Sequence, residues 1–196
     1  SRTQLMQAQE RLGKSDKFIY VAADIYRLPF RDRTFDAATM IRVLHHMADA
    51  PAALRQVRNV LKPGSVFILE FANKQNIKSI LRYLLRMQKW NPFGLEPVEF
   101  APLNFDFHPR AVKSWLKELG FAIDRILTVS HFRVQLLKRV FPPRLLAFLD
   151  SLLQWTGNLF QISPSVFLHA SLKGDGMPSA PHTAVSELFK CPACGE

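Results

Sequence analysis

The sequence predicts an α/β fold with a mostly parallel sheet, and three observations carry that expectation. Short, continuous apolar runs rich in β-forming residues occur at 18–24 ("FIYVAAD"), 35–44 ("FDAATMIRVL") and 65–71 ("SVFILEF"), as expected of strands covered on both faces. A stretch of helical period, "ADAPAALRQVRNVL" (48–61), separates the second run from the third and stops at Lys62-Pro63-Gly64. The connections are short, as in a sheet whose strands alternate with crossing helices.

Taken in order, residues 2–12 ("RTQLMQAQERL") are strong helix formers with Leu5, Ala8 and Leu12 on one face, and Gly13 follows as a stop signal. After the third strand, "NKQNIKSILRYLLRMQKW" (73–90) has helical character, and the stretch from Asn91 to His108 carries four prolines or glycines. "PRAVKSWLKELG" (109–120) is a helix with Pro at its start and Gly at its end. "FAIDRILTVSHFR" (121–133) reads as a strand, "PPRLLAFLDSLLQW" (142–155) as an apolar helix and "PSVFLHASLK" (164–173) as a last strand. "GDGMPSAPHTAVS" (174–186) has linker composition.

At 196 residues, 48% hydrophobic and 21% charged, the chain can bury one core with appendages. Both cysteines fall in the last six residues, so no disulfide framework holds the body, and a reducing compartment is expected. With no apolar run of about twenty residues and no signal-peptide core, the sequence reads as soluble and cytoplasmic. The net charge of +10 suits nucleic acid, a membrane surface or an acidic substrate alike.

Five signals occur in order: Asp24, Leu28-Pro29-Phe30, Phe35-Asp36, "VLHHM" (43–47) and "NVLKPGSVFILEF" (59–71). In that order and spacing they resemble the central half of a class I S-adenosylmethionine-dependent methyltransferase, the Rossmann-like type that includes the quinone C-methyltransferases. The resemblance extends to "FHPRAVKSWLKELGF" and "PSVFLHASLK" and so covers most of 1–173. It implies that Asp24 ends a strand at the carboxyl edge, where open α/β sheets bind ligands, and accepts from the adenine amino group. The backbone N–H of Ile25 would donate to a ring nitrogen, and Leu28-Pro29-Phe30 would wall the adenine, with Pro29 fixing φ. Capping of the following turn is the simpler role for Asp24. Ile41 would contact the methionine part of S-adenosylmethionine through its backbone, with Arg42 and His46 nearer the substrate. His45 is the candidate general base, although a His pair at a strand-to-helix junction also serves purely local structure. Ser65 and Asn59 depart from the family wording without expected functional cost.

The same resemblance predicts a Gly-rich loop and an acid-ended strand ahead of Asp24, for which the preceding 23 residues leave no room. The expectation is therefore a methyltransferase sheet lacking its first two strands, a fragment binding its cofactor poorly. The expected division is 1–173 as a partial methyltransferase domain with a helical lid at about 74–108, 174–187 as linker, and 188–196 as the start of a zinc ribbon. Cys191-x-x-Cys194 with a following glycine is the knuckle of such sites. A downstream pair, His182 or a second chain could complete it, or the thiols could stay unliganded.

Lys74, Lys78, Arg82 and Arg86, with Lys89 close by, form one basic face of a helix opposite Ile77, Ile80, Leu81, Leu84 and Leu85. A lid over an anionic or lipid-like acceptor, a helix resting on a membrane surface and a solvated face above a packed one all fit. Phe93, Phe100, Phe105, Phe107 and Trp115 could stack on a flat acceptor or on RNA bases. A small apolar or quinone-like acceptor ranks ahead of RNA, and a noncatalytic, methyltransferase-like interaction protein is the reading from another class. Oligomeric state is not legible.

Overall fold

A computed structural model of the chain describes residues 2–13, 15, 17–132, 139–174 and 184–194. The chain divides into two compact units, Ser1–Arg31 with His182–Glu196, and Asp32–Pro181.

The larger unit holds a four-stranded sheet made of β1 (Phe35–Met40), β2 (Leu61–Ala72), β5 (Phe121–Val129) and β6 (Ser165–Leu172), in the order β1-β2-β6-β5. β1 runs parallel to β2, with Met40 opposite Leu69, whereas β6 is antiparallel to both β2 and β5. β1, β2 and β5 therefore run in one direction, and β6 alone, placed between β2 and β5, runs against them. The helices are α2 (Ala50–Val60), α3 (Ile77–Leu84), α4 (Pro109–Glu118) and α5 (Pro143–Leu153), and a hairpin of β3 (Val98–Ala101) and β4 (Asn104–Asp106) lies between α3 and α4.

Local chemistry sets these boundaries. The Asp49 carboxylate accepts from the Ala52 N–H at the start of α2, Asn76 Oδ1 from Ser79 at α3, and His108 Nδ1 from Arg110 at α4, satisfying donors that a first helical turn leaves unpaired. Gly120, at φ +87°, ends α4 where a side chain would be strained.

The core sits on one face of the sheet. Phe67, Leu69 and Phe71 of β2 and Val166, Leu168 and Ala170 of β6 are buried with Leu54 of α2 and Val112 and Leu116 of α4. Burial alternates along β6, so its apolar run hides one face more than the other. β1 is an edge strand among the described residues and is largely exposed. Phe107 is buried and meets Trp115 edge-on at 5.8 Å, which makes both of them part of the packing rather than a free stacking surface. The helical reading of 73–90 shortens to α3, and the strand reading of 121–133 to β5.

The smaller unit contains α1 (Arg2–Leu12), ended by Gly13 at φ +77°. Residues 18–23 are not a strand, and Asp24 forms only an isolated antiparallel bridge with Arg27. An apolar run becomes a strand when a neighbour completes its ladder, and 18–23 find no such neighbour among the described residues. Leu188, Phe189 and Lys190 supply one to the next segment. The Arg31 N–H donates to Leu188 O, the Lys190 N–H to Pro29 O, and the Phe30 and Phe189 rings lie 5.4 Å apart. This pairing across the chain had no sequence signal.

Candidate functional site

β1, β2 and β5 end at one edge of the sheet, and the antiparallel β6 begins there. A cavity of about 490 Å³ opens at that edge, lined by Ile41, Arg42 and His45 after β1, Glu70 and Asn73 at the end of β2, and Ser130 after β5. Asp106 and Phe100 from the hairpin and Phe167 of β6 also line it. This is the size of a small-ligand site, at the edge where open α/β sheets bind.

Glu70 organises the floor. It is buried, and one oxygen accepts the Arg42 N–H at 2.8 Å while the other accepts the Ser165 hydroxyl. Arg42 sits at φ +57°, a left-handed conformation costing a non-glycine residue about 1 kcal/mol, and the charge-assisted bond to Glu70 holds it there. Asn73, also buried, donates to Gln161 O and Ser163 O and accepts from the Gln75 N–H, fixing the end of β2 to the start of β6.

The two histidines separate in role. His45 faces the cavity, and burial, then the neighbouring His46 and Arg42, hold its pKa below the ordinary value, partly offset by Glu70. It is therefore neutral at physiological pH and able to accept a proton. His46 Nδ1 lies 3.1 Å from Leu103 O; a carbonyl only accepts, so that nitrogen donates and latches the β3–β4 hairpin.

Asp106, at the end of β4, had no signal in the sequence. Burial pushes its carboxyl up to about 6, and no described residue pairs with or hydrogen-bonds to it. Lys74, placed on the basic helix face by its spacing, is instead buried ahead of α3 and donates to the Gly94 and Glu96 carbonyls. Its charge supports the loop before the hairpin.

Of the residues the sequence singled out, Ile41, Arg42 and His45 meet at the cavity. Asp24, Ile25 and Leu28 belong to the smaller unit. There Asp24 Oδ1 accepts from the Tyr26 N–H at 3.0 Å and the Arg27 N–H donates to Asp24 O, so the acid caps its turn. Asp24 also borders a shallow cavity of about 520 Å³ with Arg2, Gln4, Leu5 and Val21 to Ala23. Cys191 and Cys194 are exposed. Among the described residues no group of three or more His, Cys, Asp or Glu could hold a metal, and His182 lies outside them.

Comparison with known proteins bears on this arrangement. A family model described as "Methyltransferase domain" matches residues 1–69. The demethylmenaquinone methyltransferase of Mycobacterium tuberculosis is 30% identical over 104 residues, 53% of this chain and 44% of that protein. Over the matched residues the chain is similar to S-adenosylmethionine-dependent methyltransferases. A 2-phytyl-1,4-naphtoquinone methyltransferase of Nostoc punctiforme is 45% identical over 58 residues, 29% of this chain and 25% of that protein. The chain spans less than half the length of either relative. Solved methyltransferase structures share its Rossmann-like fold: one from Thermotoga maritima at a TM-score of 0.56 and 14% identity, covering 88% of this chain and 70% of that one. Another, from Listeria monocytogenes, gives 0.56 and 14%, covering 89% and 77%.

Proposed function

We propose that this protein moves a methyl group from S-adenosylmethionine to a small, apolar, quinone-like acceptor bound in the carboxyl-edge cavity. The observation that carries the reading is the cavity itself, where two proton-accepting groups, His45 and Asp106, face a space flanked by Phe100 and Phe167. Similarity to quinone methyltransferases supports the acceptor class.

S-adenosylmethionine, when bound, supplies a methyl group already activated on a sulfonium, so the chain has mainly to hold the acceptor in line and exclude water. Asp24 fits this cofactor through Oδ2, the oxygen its turn leaves unused, as acceptor for the adenine amino group. The Ile25 N–H and the Leu28 side chain would border the ring. Arg42 orients the acceptor, and His46 keeps the hairpin in place through Leu103. The acceptor's electron pair would form the new bond to the methyl carbon as the carbon–sulfur bond breaks and its electrons return to sulfur, leaving a neutral thioether, and the proton displaced from the acceptor would pass to His45 or Asp106.

The test is transfer of labelled methyl to a reduced 2-phytyl-1,4-naphthoquinone. His45→Gln and Asp106→Asn should lower the rate, the true base by about a hundredfold or more. Absence of photo-crosslinking between labelled S-adenosylmethionine and the chain would overturn the reading.

A further inference from the structure

The sequence leaves α3 with a basic face and an apolar face, and the ordinary expectation is that the apolar one is packed. The structure instead leaves most of the apolar side chains exposed along with the basic ones. Ser79 is the one buried residue of α3 and Ile80 and Tyr83 are half-buried, while Ile77, Leu81, Leu84 and Leu85 are 52 to 68% exposed. They recur at i, i+4, i+7 and i+8 and form one continuous stripe. Lys78, Arg82 and Arg86, each one position on from a member of that stripe, are exposed beside it. No acidic residue occurs between Phe71 and Leu95.

Single exposed leucines need no explanation, but a contiguous apolar stripe does. The surface also continues beyond the helix. The Ile77 N–H donates to Ile162 O at 2.8 Å, which brings the start of α3 beside Ile162, itself exposed after Leu159 and Phe160. Among the described residues no helix is long and apolar enough to cross a membrane.

We infer that α3 docks the protein on an anionic lipid surface, with the Ile77–Leu85 stripe entering the acyl boundary and Lys78, Arg82 and Arg86 at headgroup level. Charge complementarity selects this occupant. A second copy of this strongly basic chain would set like charges against each other, and a nucleic acid would engage the basic residues while leaving the leucines in water. A lipid surface satisfies both at once. Asn76, the cap of α3, lines the cavity, so docking sets its mouth next to the bilayer, where an apolar acceptor dissolves. The inference rests on the helix and survives failure of the methyl-transfer reading.

Co-sedimentation with vesicles tests it. The chain should sediment with phosphatidylcholine vesicles containing phosphatidylglycerol and much less with phosphatidylcholine alone. Leu81→Asp with Leu85→Asp should weaken binding about tenfold or more, with the circular dichroism spectrum unchanged because both positions are exposed. Lys78→Glu with Arg82→Glu should also weaken it, and added salt should reduce the wild-type signal. Unchanged sedimentation of the Leu81/Leu85 variant would overturn the inference, as would binding to single-stranded RNA in preference to vesicles. Dimerisation that the same two substitutions abolish would equally overturn it.

Discussion

Replacing Asp106 by Asn should stabilise the protein at neutral pH and leave it nearly unchanged in acid. In the folded chain the carboxyl is pushed up from 3.8 to about 6 by burial, so the native state binds its proton more tightly than the unfolded chain does. Between those values the native state carries more protons, and stability falls as pH rises. Above about pH 6 the folded protein bears the full cost of an ionised, poorly solvated carboxylate. The displacement corresponds to roughly 3 kcal/mol, which residual solvent screening reduces to about 1–2 kcal/mol. Asn matches the protonated acid in shape and never ionises. Urea unfolding of both proteins at pH 4 and pH 7.5 should therefore give a difference near zero at the lower pH and about 1–2 kcal/mol in favour of Asp106→Asn at the higher. Taking the difference between the two proteins cancels the titration of His45, which shares the cavity. A difference that stays constant with pH, or that favours wild type at pH 7.5, would refute the assignment of a desolvated, unpaired acid to this position.

Two packing predictions follow from β2 and β5. The Ser65 hydroxyl is buried without a hydrogen-bond partner, so Ser65→Ala should raise the unfolding free energy by about 1 kcal/mol in denaturant titrations. A Cβ added at Gly157 would lie 2.8 Å from both Ile126 O and Thr128 N; the clash is with the β5 backbone, so Gly157→Ala should destabilise by about 2–3 kcal/mol and lower the thermal midpoint.

Much of the larger unit was legible because its elements carry their own signals. α2 and α4 have cap residues and prolines at their starts and Pro164 precedes β6, whereas Lys62-Pro63-Gly64, read as a stop, lie inside β2. Residues 18–23 misled, since an apolar run encodes willingness to be a strand but not the neighbour that makes it one. Ile41, Arg42 and His45 were found because they follow a strand end in chain order. Asp106 was missed because its importance comes from burial in a hairpin wall, which no local pattern encodes. Lys74 shows the converse: its four-residue spacing from Lys78 suggested a shared face, but the helix begins only at Ile77. The strip of exposed leucines on α3 was visible as periodicity, and only the fold could say which way it faced.

The pairing of residues 29–31 with 188–190 bears on how the protein is made. Arg31 Nε donates to Phe189 O across 158 positions of sequence. At a synthesis rate of about 5–20 residues per second, the Leu-Pro-Phe turn emerges on the order of 10 s before its partner strand exists. During that interval the Pro29 carbonyl and the Arg31 amide are exposed to water or to any other extended segment within reach. This stretch of the smaller unit therefore reaches its final form only after the larger sheet has had time to fold, and closing it is a late event in the life of the nascent chain.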